Sequence, residues 1–239
     1  MLSAALFVYI AVPSAISILV FCLIGGMIYF PDLYTIPYIS YVSGRYPFLP
    51  IFSGGMTIAG TCIATLCVLY TFVFYRRSPD LFKHVGKFLI VVGFLSTIGG
   101  FCLAALSLVS VYDNFILHGV FAQTFFWTNM VSNTIIVFLS KKEHKQLRYK
   151  NEKVAKHARF WIKYRLYNLI LLPVVVIPYL LFPAFVDVEK HVWVNSLCAL
   201  LQYISVMLVI SFYGSLAFDL RSFVIKMEPR ESLVKDVCA

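Results

Sequence analysis

The sequence predicts an all-α integral membrane protein, a six-transmembrane-helix bundle with both termini cytosolic. Three observations predict it. First, 61% of the 239 residues are hydrophobic and only 13% are charged, against roughly 45–50% and about 25% in soluble globular domains. A mean hydropathy of +0.86 leaves too little polar surface to cover a water-soluble fold. Second, six blocks contain no Asp, Glu, Lys or Arg, and each is at least 21 residues long: 2–31, 46–75, 88–112, 114–140, 166–186 and 191–218. A hydrocarbon core of roughly 30 Å takes about 20 apolar residues of helix, and helices satisfy every backbone amide within their own segment. Third, the Lys and Arg residues fall almost entirely on alternate connections.

The first span is read at about 5–30. It lacks the basic start of a cleaved signal peptide and exceeds the usual apolar stretch of about 7–15 residues. The loop after it is dense in Pro and Tyr: Pro31, Tyr34, Pro37, Tyr38, Tyr41, Tyr46, Pro47 and Pro50. Such a loop is expected to be rigid and to hug the membrane, its rings forming part of an interfacial aromatic belt. The second span, 51–75, carries Thr57, Thr61 and Thr65 beside Gly60 and Ala64, and the third, 88–111, carries Ser96, Gly100 and Ala104. Small residues four apart let two helix backbones approach closely in lipid.

The fourth span, 118–140, differs. His118, Asn129, Ser132 and Asn133 share one stripe, because eleven residues are close to three helical turns. Unpaired amides in lipid are costly, so this stripe is expected to face the bundle interior. A basic cytosolic loop, 141–165, follows. The fifth span, 166–186, contains Pro173, Pro178 and Pro183, which free the carbonyls of Leu169, Val174 and Tyr179; kinking or partial unwinding is expected. The sixth span, 192–218, leads into a cytosolic tail, 219–239.

Orientation follows from the cations. Arg76, Arg77, Lys83 and Lys87 lie between spans two and three, ten more lie within 141–165, and Arg221, Lys226, Arg230 and Lys235 follow span six, so eighteen of the 20 share one side. Cytoplasmic loops carry this excess, so the formal charge of +9 reads as topology and nucleic acid is excluded as a partner. The spans contain no charge, which speaks against a voltage sensor, a carboxylate proton relay and ion-coupled transport. The five scattered histidines form no metal-ligand spacing, and no metal or cofactor is expected. Of the six cysteines, five lie in spans and Cys238 in the tail, so no disulfide framework is predicted.

Several segments in order resemble one family: Ile36, Pro37, Tyr38, Ile39 and Ser40, then Pro47, Ile51 and Phe52 opening span two, Asp113 and His118 opening span four, Trp161 and Arg165 before span five, and Asp219 closing span six. This set is similar to the Frag/DRAM/Sfk family of six-helix membrane proteins, over 1–239 as a single domain. One branch of that family acts in lipid remodelling of glycosylphosphatidylinositol (GPI) anchors in the secretory pathway, and residues 113–118 with Leu139, Lys141 and Lys142 resemble it. Asp219 through Phe223 with Ile225 resemble equally the DRAM branch of lysosomal autophagy modulators. The chain departs from both at Gln202, where a glutamate before Tyr203 is expected.

The resemblance implies a multi-pass factor in GPI-anchor lipid remodelling, in the Golgi or endoplasmic reticulum membrane, binding or presenting the anchor lipid. A DRAM-like lysosomal regulator of autophagy is the first rival, and a passive channel or transporter the second. An accessory or lipid-binding role is expected ahead of acyl transfer. The candidate catalytic residues are His118 and Asp113, a histidine and a carboxylate able to share general-base work if they meet. The candidate lipid-binding residues are His118, Asn129, Asn133, Gln202 and Asp219. The expected partners are membrane lipids, GPI-anchor lipid among them, and anionic headgroups at the 141–165 loop.

Overall fold

A computed structural model describes residues 2–3, 5–30, 36–148, 152–185, 192–220 and 224–225. Seven helices are present among them: α1 Leu6–Tyr29, α2 Ile39–Ser43, α3 Phe48–Arg77, α4 Pro79–Leu108, α5 Phe115–Arg148, α6 Glu152–Phe185 and α7 Val192–Leu220. The six long ones pack in sequence order, each on the next, and α7 packs back on α1 to close a ring. Two short strands, β1 Leu2–Ser3 and β2 Val224–Ile225, pair antiparallel and bring the segments just before α1 and just after α7 to one end of the ring.

The outer face of the ring is apolar, and its interior holds polar side chains among the hydrophobic core. Ile24, Phe72, Phe94, Phe101, Trp127 and Val174 are exposed on its outer face, while Ser96, Asn129, Ser132, Asn133, Ser205 and Ser215 are buried. A water-soluble fold distributes these residue types the other way round. Five helices, α1, α3, α4, α6 and α7, are long and apolar enough to cross a membrane. The chain is an integral multi-pass membrane protein. At 34 residues α5 is long enough to span, but the buried stripe that includes His118, Asn129, Ser132 and Asn133 dilutes its hydropathy.

The helices outrun the sequence-based spans at the basic end. Ser78 alone separates α3 from α4, and Pro79 and Asp80 open α4, a residue pair suited to a helix start by its fixed φ and its charge at the positive dipole end. Lys83 and Lys87 therefore lie on the first turns of α4, not in a loop. The basic loop expected at 141–165 is corrected likewise: α5 runs to Arg148 and α6 starts at Glu152. Charge marks where hydrocarbon ends, but Lys, Arg, Gln and Glu are strong helix formers and extend both helices beyond it. The expected unwinding of the proline-rich span is not found, since α6 is one continuous helix through Pro173, Pro178 and Pro183. Most of the 219–239 tail, with Cys238, lies outside the described residues, whereas Asp219 belongs to α7.

The expected packing of small residues is present on α3 and α4. A β-carbon at Gly60 would run into the Gly100 carbonyl oxygen, and one at Gly100 into the Gly60 carbonyl oxygen. Only glycine allows this approach.

Candidate functional site

The end of the ring opposite the basic end is closed by α2. Ile39 and Val42 are buried in the core, so the loop after α1 folds back over the bundle. Arg45 braces it: its Nε donates to the Tyr112 hydroxyl at 2.8 Å, and its Cζ lies 5.0 Å from the ring centroids of both Phe30 and Tyr112. Tyr112 also stands 6.1 Å from the Tyr41 ring. These contacts hold α2 against the connection between α4 and α5. That connection is set by Asn114, whose Oδ1 accepts the Leu117 N–H at 2.9 Å as an N-terminal cap. Capping there places His118 one turn inside α5.

The consequence is a directed hydrogen-bond chain. The Val109 carbonyl, 2.7 Å from His118 Nδ1, can only accept, so Nδ1 carries the proton. His118 Nε2 then faces the Ser40 hydroxyl at 3.0 Å with its lone pair. Gln202 on α7 completes the arrangement: its Nε2 donates to Ser40 Oγ and to the Tyr179 hydroxyl, each at 3.2 Å, and its Oε1 accepts the Ile39 N–H at 3.0 Å. Side chains from α5 and α7 thus converge on one serine of α2, and α6 joins them through Tyr179.

Ser40, His118, Tyr179 and Gln202 form a connected polar cluster in the wall of a cavity of about 320 Å³ lined by α2, α5, α6 and α7. Val111, Phe115, Gly119, Ala122 and Leu180 supply apolar wall, and Tyr38, Tyr41, Gln123 and Asn195 the rest. A smaller void of about 40 Å³ continues inward past Ser40 and His118 to Met56 and Phe125. An all-apolar one of about 20 Å³ lies deeper, at Ala15, Ala59 and Tyr213. Mixed walls of this kind, mostly apolar with a few convergent polar groups, are what small-molecule sites present.

The sequence-derived candidates divide accordingly. His118 and Gln202 meet through Ser40. Asp113 does not join them: it stays exposed, and its carboxylate accepts the Ser110 N–H at 3.3 Å. Pairing of Asp113 with His118 is therefore corrected, because the Asn114 cap turns the chain between them and both ring nitrogens are already engaged. Asn129 and Asn133 are buried but line none of these three cavities. Asn129 acts as interhelical glue, accepting the Tyr213 hydroxyl and donating to the Phe125 carbonyl at 2.6 Å. Ser40 and Tyr179 were not among the candidates. The Pro- and Tyr-rich character of the loop and the Ile36–Ser40 run of the family resemblance both point towards Ser40.

Asp219 sits at the other end of the molecule, in an ion pair with Arg165 at 2.6 Å. Arg165 is only 1% exposed; its Nε donates to Ser215 Oγ at 2.8 Å, its Nη2 to the Ser215 carbonyl at 2.8 Å and its Nη1 to Ser140 Oγ at 3.1 Å. Tyr70 reaches the same Ser140 hydroxyl at 3.3 Å. A bundle interior without charge is thus corrected at its basic end. Both residues lie just beyond the uncharged blocks, where a longer helix still carries them inside.

No curated protein and no solved structure matches the chain. The family model of the Frag1/DRAM/Sfk1/Cwh43P N-terminal domain matches residues 3–223, and the chain belongs to that family.

Proposed function

We propose that the protein is a factor in the lipid remodelling of GPI anchors, the role of the post-GPI-attachment branch of its family, and that it binds the anchor lipid in the cavity between α5, α6 and α7. The carrying observation is that cavity: about 320 Å³, with a polar cluster of Ser40, His118, Tyr179 and Gln202 beside apolar wall, in a helical ring whose outer face is greasy. A lipid offers both chemistries at once, a polar head for the cluster and acyl chains for the apolar wall.

In this reading α5 is the sixth span. Pairing of β1 with β2 supports it, because segments before α1 and after α7 that meet at one end of the ring require an even number of crossings. The positive-inside bias puts both ends in the cytosol, and the cavity then opens at the luminal leaflet of a Golgi or endoplasmic reticulum membrane. Exposed Lys141, Lys142, Lys145, Lys156, Arg159 and Lys163 on the ends of α5 and α6 meet anionic headgroups on the cytosolic face.

Deleting the gene and measuring the acyl composition and surface level of GPI-anchored proteins tests this reading. Altered anchors are expected, rescued by the wild-type chain but not by Ala122→Trp, which fills the cavity. Unaltered anchors overturn it, and confinement of the protein to lysosomes would then favour the DRAM branch.

A further inference from the structure

We propose that Ser40 is an acyl-accepting nucleophile and His118 its general base, so that the cavity transfers an acyl chain between lipid hydroxyls. The inference rests on the lipid-binding reading above and adds a reaction to it.

Three features carry it. Nucleophile and base are 3.0 Å apart, within the reach that proton transfer needs. The base is oriented by a third group, since the Val109 carbonyl at 2.7 Å holds the proton on Nδ1 and leaves Nε2 to receive the serine proton. This is the arrangement of an activated hydroxyl, with a backbone carbonyl in the orienting place that a carboxylate often takes. Lastly, the Gln202 amide and the Tyr179 hydroxyl lie beside the serine on the cavity wall, where they can donate to an oxygen that becomes negative. A serine needed only to hold α2 in place would not have to face a cavity of this size.

The steps balance without an oxidant or reductant. The donor is an ester lipid, and the acceptor is a lipid bearing a free hydroxyl. Ser40 Oγ forms a bond to the ester carbonyl carbon while His118 Nε2 takes the hydroxyl proton. The tetrahedral intermediate collapses, the bond to the donor's alcohol oxygen breaks, and that oxygen leaves with the proton from Nε2. The acceptor hydroxyl then gives its proton to Nε2 and attacks the acyl-serine, and Ser40 departs and regains a proton. Water in place of the acceptor makes the same site a lipase.

The test uses the full chain in phosphatidylcholine nanodiscs with hexadecyl fluorophosphonate, a probe that phosphonylates activated serines, and maps the adduct by peptide mass spectrometry. One adduct on Ser40 of the wild type is expected, with a labelling rate lowered about 100-fold or more in His118→Gln, the loss typical of removing a general base. Mapping on the wild type needs no variant to fold, and crosslinking of the wild type by a diacyl phosphatidylcholine photoprobe reads lipid binding separately; Ser40→Ala, checked by its thermal midpoint, should lose the adduct. A folded wild type without the Ser40 adduct, or equal labelling rates in wild type and His118→Gln, overturns the proposal. Retained photoprobe crosslinking in that case leaves the lipid-binding reading standing, so the two fail separately.

Discussion

Two buried polar residues illustrate how differently single side chains can be embedded in this molecule. Arg165 spends its donors on Asp219, Ser215 and Ser140, and no water replaces them at 1% exposure. Breaking a buried pair by removing one partner leaves the other charge uncompensated, at a cost of about 3–5 kcal/mol. Arg165→Ala should lower stability to denaturant in detergent micelles by that amount, and Arg165→Met combined with Asp219→Leu should recover much of it. His118 has both ring nitrogens satisfied, yet by groups that leave a lone pair directed at a hydroxyl. That it is polar and inward-facing was legible from its spacing to Asn129, Ser132 and Asn133. Its partner was not: Ser40 is 78 residues away in the chain, and Gln202 is 162 from Ser40. No periodicity encodes such a meeting.

At the level of the helix, close packing and charge each make a prediction. Gly60 and Gly100 put α3 and α4 backbone to backbone. Gly100→Val must push the helices apart, and overpacking of this kind typically costs about 1–3 kcal/mol; a fall in the thermal midpoint checks it, while Gly54→Ala, with open space at its β-carbon, should change little. The basic ends of α5 and α6 should dock on anionic lipid. Reversing Lys156, Arg159 and Lys163 to Glu should weaken partition of phosphatidylserine around the protein, each Lys or Arg near a charged surface being worth roughly 1 kcal/mol. Equal phosphatidylserine enrichment around wild type and variant, measured in nanodiscs of mixed composition, would show the charges to be solvated only. Helix limits were less legible than helix existence. Composition marks the edge of the hydrocarbon, whereas the helix limits are set by local chemistry, α3 ending at Ser78 before Pro79 and α5 starting at the Asn114 cap.

The described helices form a closed ring, and the segments before α1 and after α7 pair at one end of it. In the proposed topology the connection between α5 and α6 is cytosolic, and a glycosylation sequon grafted there should remain bare in a cell. Glycan on it would invert the bundle and move the Ser40 cavity to the other leaflet. Apolar length, the bias in Lys and Arg and the small-residue stripes were enough to establish membrane crossing, helix order and the inward face of α5, because hydrocarbon obliges each segment to satisfy its own backbone and turn its polar groups from lipid. Those are local demands, written in each segment separately. The meeting of Ser40, His118, Tyr179 and Gln202, and that of Arg165 with Asp219, depends on how each helix is rotated and where the ring closes. Packing of all the helices together sets those angles, and no segment carries them alone.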